Sequence, residues 1–310
     1  MLSKISVIVP VRNRENLILR ALNSIINQSV KPYELIIVDN SSEDSTYSTV
    51  ANWTNDIDDR GIKIKLLKEI REGATFAREC GLKNAEGNYL IFFDSDDEMH
   101  LDLIEVVTQE LIKNPNVDII SWRCRIHLLN GEERIPSIIK SNPFESHLIH
   151  SLLRPQGYIV RKQFLMEAGG WNKPLEIWND LELGLRLLLK EPEIIVLDKL
   201  LVEIYAQESS ITGKDFFSKR EQIEESLREM EKTISLSHYP DKERILKIID
   251  YRRVILAALY GKEGKKESGL KLLEESIRSY KYKDRLLLKF SYYFTRSGFR
   301  GAWRLIRKIY

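Results

Sequence analysis

The sequence predicts an α/β fold: a Rossmann-like, three-layer α/β/α domain with a mostly parallel sheet over residues 1–213, then a helical C-terminal region over 214–310. Three observations predict it. Short runs rich in Ile and Val recur at Ile5–Val9, Leu35–Val38, Ile62–Leu67, Tyr89–Phe93 and Val117–Ser121, and nearly continuous apolar strands of this kind suit a parallel sheet covered on both faces. Helical patterns lie between these runs, which is the alternation of βα units. From Phe216 the composition turns to long charged stretches, such as Lys219–Thr233 and Lys265–Ser279, with no further strand pattern.

The first run ends in the loop Pro10-Val11-Arg12-Asn13-Arg14-Glu15. Beyond it Ile18, Ala21, Leu22 and Ile25 keep helical i, i+3, i+4, i+7 spacing, with Asn13 placed to cap that helix. The second run ends in the polar loop Asp39–Ser45, and the fourth delivers the turn Asp94-Ser95-Asp96-Asp97. In the C-terminal region, Ala257–Ile277 carries Gly261 and Gly264 between two helical runs and reads as one hairpin of the tetratricopeptide kind; a single copy is too few to form an array.

With 310 residues, 43% apolar and 30% charged, the chain can bury a sizeable core, which excludes a disordered class. Cys80 and Cys124 make no disulfide framework or metal cluster and fit a reducing compartment. The run before Pro10 is too short for a signal-peptide core, and nothing approaches the roughly 20 apolar residues of a membrane span. A cytoplasmic location is expected. Net charge is +2, but residues 281–310 hold nine bases against one acid, so that tail is +8 and the rest of the chain −6.

In open α/β sheets, ligands bind where loops leave the carboxyl ends of strands. Each of the three polar loops has an ordinary reading as a helix cap. Three clustered acids differ, because their repulsion calls for a cation or solvent. Hard oxygen ligands there suit Mg²⁺ or Mn²⁺, which share sites with substrate phosphates. No Walker-type loop and no GxGxxG follows the first strand, so handling of phosphate falls to the metal.

Three segments together resemble a known family. SVIVPVRNRE, ELIIVDNSSEDST and GNYLIFFDSDD are similar, in order and spacing, to the opening strand, second strand and DxD segment of family 2 glycosyltransferases with the GT-A fold, over roughly residues 3–213. The resemblance implies a nucleotide-sugar donor site in which Pro10, Val11, Asn13 and Glu15 line the nucleotide pocket and Asp39 binds the base. Arg71 and Arg78 match basic positions near the donor, with surface solvation as the alternative. Asp94, beside Ser95, is expected near the ribose and Asp96 on the metal, with Asp97 as a helper. The segment Trp178-Asn179-Asp180-Leu181-Glu182 is similar to the family's catalytic acidic motif and makes Asp180 the base that deprotonates the acceptor hydroxyl. Glu182 is explained instead by an i, i+4 pair with Arg186. Trp171 and Trp178 are candidates to stack on an acceptor sugar, with buried packing the alternative for at least one.

Two positions depart from the family pattern: Asn179 replaces the Glu of the acidic pair, and Ala77-Arg78-Glu79 replaces Ala-Arg-Asn. The Gln-x-x-Arg-Trp motif of processive synthases is absent. The implied enzyme is inverting and non-processive, passing a sugar, with UDP as the expected carrier, to a glycan or lipid-linked glycan. A sugar-nucleotide nucleotidyltransferase and a non-catalytic glycan-binding scaffold are the alternatives. The former lacks its Gly-rich loop here.

The basic tail interleaves with aromatic residues. No nucleic-acid-binding signature accompanies it. Phe299, Trp303 and Ile306 share a helical face flanked by bases, which suits an anionic membrane surface; a packed terminal helix with a solvated basic rim is the alternative.

Overall fold

A computed structural model describes residues 3–57, 61–139, 141–207, 215–307 and 309. They form two compact units, Met1–Ser137 with Leu152–Glu208, and Ile138–Ser151 with Ser209–Tyr310. The expected domain boundary at 213 lies outside the described residues, and Ile138–Ser151, read above with the first domain, groups with the second unit.

The first unit alternates as expected through β1 (Ile5–Val11), α1 (Ile18–Ile26), β2 (Glu34–Asp39), α2 (Thr46–Asp56), β3 (Lys63–Lys68), α3 (Ala74–Asn84) and β4 (Tyr89–Phe92). It continues through β5 (Glu98–Met99), α4 (Leu103–Lys113), β6 (Ile119–His127) and β7 (Glu133–Arg134). Helix α5 (Pro143–His150) belongs to the second unit; the first resumes with β8 (Tyr158–Arg161), α6 (Lys162–Glu167), α7 (Asn179–Leu189) and β9 (Ile194–Tyr205). Among the described residues the sheet order is β3-β2-β1-β4-β8-β6-β9-β5, with β7 on β6. Strands β3, β2, β1 and β4 run parallel, as do β6 and β9, while β8 lies antiparallel between β4 and β6. This is a mostly parallel α/β sheet.

Every residue of β1, β2 and β4 is buried, which is why those segments read as unbroken apolar runs. Ile18, Ala21, Leu22 and Ile25 of α1 are fully buried against the sheet. On the other face α3 approaches β1 so closely that a Cβ on Gly81 would lie 2.3 Å from Ile8 Cγ2. One expectation fails: α1 starts at Ile18 with Leu17 at the cap position, and Asn13 is held in the left-handed region at φ 50°.

The second unit is helical: α5, α8 (Arg220–Leu236), α9 (Lys242–Lys262), α10 (Lys266–Ile277), α11 (Tyr282–Arg296) and the short α12 (Trp303–Ile306). The α9–α10 hairpin turns at Gly264, at φ 83°, and Gly269 lets the helices close, because a Cβ there would meet the Ala257 carbonyl at 2.5 Å. Val254, Ala257, Leu273, Ile277, Leu288 and Tyr292 fill the core. Ile306, expected on a membrane-facing side with Trp303, is 1% exposed in that core, and Trp303 packs edge-on against His150. Ile306 and Trp303 thus serve the core of α9 and α11, as the packed-helix alternative has it, while Phe299 stays 60% exposed.

Candidate functional site

The loops at the carboxyl ends of β1, β2 and β3 are tied to one another. The left-handed turn at Asn13 lets its backbone N–H donate to Ser42 Oγ (3.1 Å) while its Oδ1 accepts from Glu43 N (2.8 Å). Glu15 Oε2 accepts from Ser45 N at 2.8 Å, and Arg14 N donates to Thr46 Oγ1 at 2.7 Å. Asn40 then fixes the third loop, donating to the carbonyls of Glu69 (3.0 Å) and Arg71 (2.7 Å) and accepting from Gly73 N (2.8 Å).

Within this frame, Pro10 and Val11 are buried at the end of β1. Asp39 is 4% exposed; its Oδ2 accepts from Ser42 N at 3.3 Å, and its Oδ1 is buried with no hydrogen-bond partner among the described residues. A buried, unsatisfied acceptor is costly unless a ligand completes it. Arg71 is turned back on Glu69 through two hydrogen bonds, Nε at 2.9 Å and Nη2 at 2.6 Å, which hold the Glu69 carboxyl down at about 2.

The acidic turn after β4 is crowded. Asp97 is 2% exposed, and both its oxygens are engaged: Gln156 Nε2 donates to one at 2.6 Å and Tyr205 N to the other at 3.0 Å. Burial, then the charges of Asp94 and Asp96, push its carboxyl well above the usual range. Burial and Asp94 likewise raise Asp96, whose carboxylate lies 3.5 Å from Arg14 Nε and whose backbone carbonyl accepts from Arg20. Ser95 is buried between them.

Arg78 joins this turn to the start of α7. Buried at 7% exposure, it donates from Nη2 to Asp94 Oδ1 (3.0 Å) and from Nη1 to Asn179 Oδ1 (3.2 Å), with its guanidinium 4.6 Å from the Trp171 ring centre. Asn179 Nδ2 in turn donates to the Glu176 carbonyl at 3.0 Å. Trp178 precedes the helix in the left-handed region, at φ 56°, and Asp180 falls in the first turn, half-buried, with no hydrogen bond or ion pair among the described residues. Glu182 pairs with Arg186 at 2.6 Å, as its spacing predicts. Trp171 is 2% exposed and packs edge-on against Phe92, so packing accounts for it.

The described residues contain no group of three or more His, Cys, Asp or Glu side chains arranged around a metal. The donor set still fits a cation that shares its ligands with phosphate, which needs only one or two protein carboxylates. Asp94 commits one oxygen to Arg78, and Asp96 sits beside it with its carboxyl raised by burial and by Asp94.

Reasoning from the sequence missed Arg14, Arg20, Asn40 and Gln156. Arg14 and Asn40 stand inside the loops it singled out and could have been found there. Gln156 has no local signal, since only the strand order brings it under Asp97.

A model of the family described as glycosyl transferase family 2 matches residues 6–168. The chain is 39% identical over 107 residues to a GalNAc(5)-diNAcBac-PP-undecaprenol beta-1,3-glucosyltransferase of Campylobacter jejuni, covering 34% of each protein. It spans only 15% to 34% of the length of four curated relatives it matches. Among solved structures, S. aureus TarS 1–349 in complex with UDP-GlcNAc has a TM-score of 0.66 at 21% identity, covering 98% of this chain and 92% of that one. The mannosyltransferase PcManGT of Pyrobaculum calidifontis, in complex with GDP-Man and Mn²⁺, has a TM-score of 0.61 at 18% identity, over 96% and 84%. These likenesses establish the fold.

Proposed function

The chain belongs to glycosyl transferase family 2, and from that premise we propose that it moves a sugar, with inversion, from a UDP-sugar to a glycan or lipid-linked glycan, one addition per encounter. The observation that carries this reading is the Arg78 bridge, which ties the acidic turn to the helix whose first turn bears Asp180. The C. jejuni relative is named for an undecaprenol-linked acceptor, and the TarS structure holds UDP-GlcNAc. Both support the substrate classes.

In this reading the unsatisfied Asp39 Oδ1 accepts an N–H of the base, and Asp94 and Asp96 face the ribose and diphosphate. Mn²⁺ or Mg²⁺ held by Asp96 would neutralise the departing nucleoside diphosphate. Asp97 holds the turn through Gln156 and Tyr205. Asp180 takes the proton from the acceptor hydroxyl as its oxygen attacks the anomeric carbon, and the bond to the diphosphate breaks with its electron pair leaving on UDP. The Asn179 amide oxygen accepts from Arg78 without adding a charge beside Asp180.

A panel of nucleotide sugars, assayed for UDP release with Mn²⁺, Mg²⁺ or chelator, tests the assignment. The expected result is cation-dependent release from a UDP-sugar that falls about 10²–10⁴-fold in Asp180→Asn, with donor binding retained. Turnover unchanged in Asp180→Asn would remove the base from that residue. Release of pyrophosphate from UTP and a sugar phosphate would make the protein a nucleotidyltransferase.

A further inference from the structure

Exposed apolar side chains gather on one helix of the second unit. On α11, Tyr282, Leu286, Phe290 and Tyr293 are 76%, 50%, 49% and 53% exposed, and Phe299, just beyond it, is 60% exposed. At about 100° per residue the four helical positions fall on one side. Leu288, Ser291 and Tyr292 are buried on the other. Phe294 extends the stripe, its ring stacked between Phe290 (5.6 Å between centres) and Phe299 (5.1 Å). Single exposed apolar residues are ordinary; a continuous aromatic stripe marks an interaction surface.

The charge around the stripe identifies its partner. Lys281, Lys283 and Arg300 are exposed and make no ion pair among the described residues. Arg285 and Lys289 border the stripe and share a single acid, Glu274, at 3.5 and 2.6 Å. Aromatic rings with a basic border match the boundary of an anionic bilayer, where rings settle among headgroups and bases meet lipid phosphates. Among the described residues no helix is long and apolar enough to cross a membrane, so such contact would be made from one side.

We infer that the exposed face of α11, continued by Phe299, docks the protein on an anionic lipid surface. This relocates the membrane contact from Phe299, Trp303 and Ile306, two of which serve the core, to the outward side of the preceding helix. Its use, bringing the site to an acceptor carried on a lipid, rests on the acceptor class proposed above; the docking itself does not.

Sedimentation of the full chain with phosphatidylglycerol-containing vesicles, against vesicles of phosphatidylcholine alone, tests it. The wild type should pellet with the anionic vesicles and release as salt rises. Leu286→Ser/Phe290→Ser/Tyr293→Ser, and separately Lys281→Glu/Lys283→Glu/Arg300→Glu, should each weaken vesicle binding about tenfold or more. Both should keep the wild-type far-ultraviolet circular dichroism and the same rate of UDP release from the donor. A wild type that stays in the supernatant, or two variants that pellet like it, overturns the proposal. So does a concentration-dependent dimer in light scattering that the serine variant abolishes, because the stripe is then a self-association face. Vesicle binding without transfer to any lipid-linked acceptor would leave docking standing and remove the acceptor class.

Discussion

The two ends of the parallel sheet bury carboxylates in opposite ways. At the amino end of β2, Glu34 accepts from Ser6 Oγ (2.6 Å) and from the backbone of Glu86 (2.5 Å) and Gly87 (3.2 Å), with Lys65 Nζ at 2.9 Å. Burial pushes its carboxyl up, yet these partners more than offset that, and it titrates below the usual range. At the carboxyl end of β4, burial and like charges drive Asp96 and Asp97 the other way. Glu34 carries the electrostatics of a structural group: its charge is answered by the chain itself. The acidic turn is answered only in part, Asp94 by Arg78 and Asp96 by Arg14 at 3.5 Å, and perturbed carboxylates of this kind gather at functional sites.

The difference predicts opposite outcomes for removing the charge. Asp96→Asn should lower transfer about 10²–10³-fold, the size of losing one electrostatic contact at a reacting centre. Its thermal midpoint without ligand should hold or rise, because burial and the neighbouring Asp94 outweigh the Arg14 contact at 3.5 Å. A midpoint that falls with activity intact would make Asp96 a second Glu34 and break the comparison.

Glu34→Ala should do the reverse. Taking one partner from a buried, charged cluster costs about 3 kcal/mol, since Ser6 Oγ and the Glu86 amide lose their acceptor. Denaturant unfolding should show that loss while kcat and the donor KM stay near wild type. The sign with pH follows from the lowered carboxyl: the contribution is complete above the ordinary carboxylate range and disappears as pH falls through the lowered value. The gap between wild type and variant should therefore close only in strong acid. A gap constant with pH would mean that packing, not charge, was lost.

How much of this was legible in the sequence divides along the same line. The runs Ile5–Val9, Leu35–Val38, Ile62–Leu67 and Tyr89–Phe93 announced β1 to β4, because strands buried on both faces need apolar residues throughout. Strands β8 and β9 went unread: β9 is only partly buried along most of its length, and β8 is four residues set antiparallel between distant neighbours. In the site, loop membership pointed to Asn13, Asp39 and the acidic turn, since polar residues after such strands have few other places to be. What the loops could not show was which charges answer which. Arg71, read as a donor contact or as surface solvation, is folded onto Glu69; Trp171, read as a sugar platform or as buried packing, is core. Those outcomes depend on partners brought in by tertiary packing.

Arg78 carries the smallest effect and the finest test. Its sequence position left a donor contact and surface solvation open; its fork holds Asp94 with one arm and Asn179 with the other while lying over Trp171. Lysine keeps the charge but has no planar fork, so it cannot serve both partners from one position. Arg78→Lys should therefore lower kcat about fivefold and leave the donor KM near wild type, because the spacing between the acidic turn and Asp180 loosens while the donor's own contacts remain. Combined with Asn179→Ala, the loss should be less than additive, since both substitutions cut the same link. If the donor KM rises instead and kcat holds, Arg78 contacts the donor directly, and the acidic turn is joined to α7 by something other than this side chain.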